Sequence, residues 1–187
     1  MVQEKENVLR IFEEAKDAIK KEDSFKLNDL SNQTINTASR THDPDNIATA
    51  VVIYSIGKII ERKKYREYPE WNALYKKIIS SIDELILAIK RNSDKDFKKS
   101  VDSLRNYINR LSGKLKEYVQ DVFRKAQINK ASKIYEHGIS MEKTANLLGV
   151  TMYDLALYSG QKDNSNDYKI NTIDVRSRIK MALDMFN

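Results

Sequence analysis

The segment DPDNIATAVVIYSIGKIIER, residues 43–62, decides how the rest of the chain must be arranged. Asp43 is a suitable N-cap, Pro44 fits the first helical turn, and Asp45 faces the positive end of the helix dipole. From Ile47 to Ile60 the apolar residues Ile47, Val51, Val52, Ile53, Tyr54, Ile56, Ile59 and Ile60 leave almost no polar face. A helix that is hydrophobic nearly all round must be surrounded by other helices. Only twelve uncharged residues separate Asp45 from Lys58, too few to cross a bilayer. The expected fold is therefore all-α, a multi-helix bundle around a central buried helix, Asp43–Arg62.

The flanking sequence agrees. The chain of 187 residues has 2 Pro, 5 Gly and 32% charged residues, the usage of a helical protein long enough to bury its own core. It has no cysteine, so disulfides and thiolate metal sites are excluded. The opening residues MVQEKENVLRIFEE alternate charges and hold no signal-peptide apolar stretch, and the expected location is the cytoplasm. A first helix is expected from about Gln3 to Lys21, with Val8, Phe12, Ala15 and Ile19 on one face. Ser24 is expected to cap a second helix whose polar run, Ser31, Asn32, Gln33, Asn36 and Thr37, reads as an exposed face. Trp71, Leu74, Ile78, Ile82, Leu85 and Ile89 mark a fourth helix behind Pro69. Ser93 caps a fifth, with the seam Phe97, Val101, Leu104, Ile108 and Leu111. A sixth carries Leu115, Val119, Val122 and Ala126 toward His137, with Gly138 as its C′ residue.

The segment KASKIYEHGISMEKTANLLGVTMYDLALYSG, residues 130–160, reads as helix, turn, helix, turn, helix. Ser140 caps a short helix ending at Leu148, Gly149 makes the tight turn, and Thr151 caps the next helix. Ala145 is the small residue at the crossing of the two. This is helix-turn-helix spacing. The elements Ala131–Tyr135, Gly138–Ser140, Ala145–Thr151 and Met152–Tyr158 resemble the core of small, uncharacterised archaeal and cyanobacterial antitoxin-like regulators. The resemblance covers about thirty residues of the chain and implies a fold for them, with a DNA-related role by analogy. The expected organisation is a helical bundle over 1–126, a helix-turn-helix module over 127–160, a polar linker over 161–171 and a cationic C-terminal helix over 172–187.

Charge supplies the functional pattern. Residues 93–137 carry eleven basic and six acidic side chains, whereas 138–187 carry six of each. A local excess of this kind is a footprint for phosphate backbones, and it nominates Lys98, Lys99, Arg105, Arg110, Lys114, Arg124, Lys125, Lys130 and Lys133. The helix-turn-helix contact face would be Thr151, Met152, Tyr153 and Leu157. Base-reading side chains are missing there, because no basic residue occurs between Lys143 and Lys162. Catalysis is not expected. The two histidines are far apart, and neither a Gly-rich phosphate loop nor metal-ligand spacing occurs. Arg40 and His42 have only Thr41 between them, closer than the Arg–His pair of helical-bundle ribonucleases. No cofactor is implied.

Three readings follow. The first is a non-enzymatic regulator or adaptor that acts on DNA, structured RNA or a nucleoprotein complex through its helix-turn-helix. The second is an RNA- or ribosome-associated factor that binds through the basic 93–137 region. The third is a structural protein that pairs with a protein partner or forms a homodimer through the Phe97–Leu111 seam. Clustered 93–137 cations would favour the second, a cationic surround of Tyr153 the first, and an exposed seam the third. No membrane association is expected.

Overall fold

The computed structural model describes residues 4–41 and 43–165. These form α1 (Lys5–Lys20), α2 (Ser24–Thr41), α3 (Pro44–Glu61), a 3-10 helix (Lys63–Glu67), α4 (Trp71–Lys90), α5 (Asp94–Arg110), α6 (Gly113–Glu136), α7 (Met141–Leu148) and α8 (Met152–Ser165), with no strand among the described residues. The protein is all-α. The helix foreseen over 172–187 and His42 lie outside the described residues.

As its sequence dictates, α3 is the centre. The Asp43 carboxylate accepts from the Asp45 amide at 3.1 Å, and twelve of the helix's side chains or backbone positions are buried. Ile53, Ile56 and Ile59 are at most 1% exposed, and each fully buried side chain of this size stabilises the fold by about 2 kcal/mol. Closest to α3 lies α2. A Cβ built on Gly57 would meet Leu27 Cβ at 3.1 Å, so the missing side chain is what lets the two backbones approach.

The turns after α1 and α4 share one solution. Glu22 and Asn92 adopt left-handed φ values of 56° and 54°. The amides of Asp23 and Ser93 reach back to the Ala18 and Ala88 carbonyls, closing each helix in a Schellman motif. The next side chain then starts a new helix. Ser93 Oγ accepts from the Asp96 amide, as its sequence position predicts. Before α2 the corresponding acceptor is Asp23 Oδ1, bonded to the Lys26 amide at 2.9 Å. Asp23, not Ser24, is the cap.

Two apolar clusters fill the molecule. The larger joins α1–α6 and contains Phe12, Ile53, Leu74, Ile82, Phe97 and Leu104. The smaller joins the second half of α2 and the first half of α3 to the far end of the chain, through Ile35, Ala38, Ile47, Ala131, Ile134, Leu148 and Leu155. No break falls at 126/127, because α6 runs unbroken from Gly113 to Glu136 and serves both clusters. Residues 161–165 of the expected linker belong to α8, which continues to Ser165, and 166–171 lie outside the described residues. Gly160 does not stop the helix.

The polar run on α2 is not a uniformly exposed face. Ser31 and Thr37 are buried, as is Thr34 between them on the apolar line, and Ser31 Oγ donates to the Ala50 carbonyl of α3 at 2.7 Å. Thr34 Oγ1 returns its bond to the Leu30 carbonyl one turn back. Hydroxyls satisfied in this way cost little when buried, and their small size suits a tight helix pair.

Candidate nucleic-acid interface

Along α5 the apolar positions Phe97, Leu104 and Ile108 point into the bundle, as does Leu111 just after it, all at most 8% exposed; Val101 is half-buried. The seam is thus spent on internal packing. The opposite face turns Lys95, Lys98, Lys99 and Arg110 to solvent. Lys77 of α4 joins them across an open groove of about 770 Å³, also lined by Asp102, Ser103, Asn106 and Tyr107. Lys77 Nζ donates to Ser103 Oγ at 3.0 Å and lies 3.6 Å from Glu84. Asp102, the one carboxylate in the lining, is 4.0 Å from Arg105. No carboxylate among the described residues pairs with Lys95, Lys98, Lys99 or Arg110. Lys98 also exerts a longer-range pull on Asp45, where burial and then the neighbouring Asp43 raise the carboxyl above its ordinary range.

The remaining nominated cations are dispersed. Arg105 and Arg124 border a second, largely apolar groove of about 640 Å³ between α3, α5, α6 and α7, floored by Val51, Val101, Phe123 and Leu147. Arg124 also reaches a third groove of about 560 Å³ between α3, α6 and α8, which it shares with Lys125. There three of the four cations are paired: Lys58 with Glu61, Lys125 with Asp121, and Arg124 with Asp154. Lys114 is exposed at the start of α6, away from these grooves.

Lys130 does not face a ligand at all. It is 0% exposed, its Nζ lies 4.1 Å from the Tyr54 ring centroid, and it donates to Asn32 Oδ1 at 3.1 Å. Lys133 Nζ donates to the same oxygen at 2.6 Å. Burial, then the charges of Lys133 and Lys58, pull the Lys130 amine down to about 7. Its nomination as a phosphate contact is corrected by this burial. The signal was present in the sequence, since residue 130 continues the stripe Val119, Val122, Ala126 and Ile134 of α6. Conversely, Lys95 and Lys77 were not singled out. Lys95 stands one turn before Lys99, but Lys77 joins the groove only through the packing of α4 on α5.

At the other end, Ser140 Oγ accepts from the Lys143 amide and Thr151 Oγ1 from the Asp154 amide, while Gly149 turns the chain with φ 64°. Met152, Tyr153 and Leu157 are 53%, 73% and 43% exposed, with Thr151 exposed beside them. Asp154, on the same helix, holds Arg124 of α6 at 3.4 Å. The basic and aromatic stretch 62–66 is structural: Arg62 donates to the Tyr65 hydroxyl at 2.6 Å, and the buried Tyr65 ring stacks on Tyr118 at 5.6 Å.

No family model, curated protein or solved structure matches the chain. Among the described residues no helix is long and apolar enough to cross a membrane, and no cluster of His, Cys, Asp or Glu is arranged to hold a metal ion.

Proposed function

We propose that the protein is a non-enzymatic adaptor that grips the phosphate backbone of a nucleic acid in the α4–α5 groove. The observation that carries this reading is the set Lys95, Lys98, Lys99 and Arg110: four exposed cations on one helix face, none within ion-pair distance of a carboxylate among the described residues. Surface charges in folded proteins are commonly interspersed with the opposite sign, as they are in the third groove. An unneutralised stripe holds counterions that a polyanion releases on binding. Ser103, Asn106 and Tyr107 lie within the same lining and supply neutral donors to phosphate or sugar oxygens.

The helix-turn-helix segment takes a different part in this reading. Its exposed face is apolar and aromatic, and Asp154 beside it would repel phosphates. Such a face suits a protein partner. The adaptor therefore holds nucleic acid on α5 and a protein on α8. Burial of the Phe97–Leu111 seam removes the feature that would have favoured self-association through α5.

The test is fluorescence anisotropy of labelled duplex DNA and labelled structured RNA, each titrated with the full chain at several salt concentrations. Binding that weakens steeply with salt is expected, and the preferred ligand names the nucleic acid. Absence of binding to both at low salt would overturn the proposal.

A further inference from the structure

Four side chains from three helices meet where the two apolar clusters join: Asn32 on α2, Tyr54 on α3, and Lys130 and Lys133 on α6. This junction is unusual because two amines converge on one amide oxygen, with Lys130 fully enclosed. On α2 the facing group is the uncharged Asn32. On α3 they are the half-buried Tyr54 and Lys58, whose amine lies 5.7 Å from the same ring. On α6 it is Lys133. Tyr158 of α8 acts on Tyr54 and receives a 2.7 Å bond from Asn129. The charges acting on Lys130 are thus both positive, from Lys133 and Lys58. The Tyr54 ring and the Asn32 oxygen favour an ammonium only in part, while enclosure and two like charges oppose it.

We propose that this junction is a proton-operated latch: α6 seats fully on α2 and α3 with the Lys130 amine neutral, and taking up a proton loosens the α6–α7–α8 end from the rest of the bundle. The location gives the latch its consequence. Below Lys130 in the chain lie Ala131, Ile134, Ile139, Leu148 and Leu155, which form the smaller cluster against α2 and α3. The larger cluster is built without that end of the chain, from α1 to Val122 of α6. Loosening can therefore be confined to one end. The face of α8 offered to a partner moves with it.

The sign follows from linkage. In the seated state the amine titrates near 7, and in the released state near its ordinary 10.5. Between those values release takes up a proton, so lowering the pH favours release; below 7 both states are protonated and the dependence ends. The resulting change in the opening equilibrium is about fiftyfold from pH 9 to pH 7, and about twofold from pH 7 to pH 6.

The experiment is hydrogen exchange of the full chain, resolved by segment, at pH 6, 7, 8 and 9 and corrected for intrinsic exchange rates. Expected is a loss of protection over 126–160 as pH falls from 9 to 7, levelling below 7, with α1 and α4 unchanged, and no such dependence in Lys130→Met. A pH-independent opening in the parent, or the same dependence in Lys130→Met, would overturn the latch. Should Lys130→Met fail to fold, Lys133→Gln decides. Removing one like charge must move the levelling point to higher pH, and an unmoved profile is the contrary result.

Discussion

The guanidinium of Arg124 on α6 lies 3.4 Å from the carboxylate of Asp154 on α8, an ion pair that ties the second helix of the helix-turn-helix to α6. It engages a cation of α6, and its carboxylate partner, Asp154, directly follows Tyr153 in the chain. Arg124 remains 69% exposed as a side chain, so the pair contributes at most about 1 kcal/mol. Arg124→Ala is expected to shift the urea midpoint only slightly and to leave nucleic-acid affinity within about twofold, since one screened cation is a small part of a phosphate interface. A tenfold loss of affinity in this variant would relocate the interface to α6–α8.

The close approach of α2 and α3 at Gly57 makes a separate claim. Alanine has the better helix propensity by about 1 kcal/mol, yet its Cβ would sit 3.1 Å from Leu27 Cβ, an atom fixed to the backbone. The two helices would have to separate. Gly57→Ala is expected to destabilise by about 1 kcal/mol and Gly57→Val by more, measured as the change in urea midpoint at unchanged slope. A stabilised Gly57→Ala would show that the contact yields freely.

The start of α2 distinguishes two neighbouring residues. Because Asp23 Oδ1 takes the Lys26 amide, Asp23→Ala is expected to cost about 1 kcal/mol, whereas Ser24→Ala should cost a few tenths. Equal or reversed losses in thermal unfolding would return the cap to Ser24.

Lys130 affects global stability as well as local opening. Its folded-state value near 7 lies below the 10.5 of an unfolded lysine, so between these values the unfolded chain holds the extra proton. Stability from this group therefore rises with pH across that window, by up to about 1.4 kcal/mol per pH unit. At pH 7 Lys130→Met is expected to be the more stable protein, with the difference shrinking toward pH 10. Other groups titrate in both proteins, so the difference between the two is the measurement. A parent that is more stable than Lys130→Met at pH 7, or a gap constant with pH, would contradict the assignment.

These positions also show what a sequence can and cannot disclose. Ile47–Ile60 announces a buried helix because burial on every side leaves a one-dimensional trace. Ser93 was legible because its cap bond is local. Ser31 was not, since the Ala50 carbonyl that satisfies it lies on another helix, and a run of hydroxyls and amides reads equally as a wet face. The basic excess over 93–137 was visible, but composition merges what folding separates: Lys98, Lys99 and Arg110 on one groove, Arg105 and Arg124 on another, and Lys130 in the interior. Lys77 shows the opposite failure. It stands in a different helix and reaches the groove only because α4 packs on α5.

The most direct test of the central claim is the binding of Lys95→Gln/Lys98→Gln/Lys99→Gln/Arg110→Gln, compared with a control that neutralises the exposed Lys20, Lys21, Lys63 and Lys64 in the same way. Both lose the same formal charge, so only position differs. Anisotropy titrations over a salt series should show the groove variant weakened by at least about tenfold, with the slope of log affinity against log salt reduced by roughly 3, and the control close to the parent. Equal losses in the two variants, or an unchanged slope in the first, would contradict a phosphate-binding groove on α5.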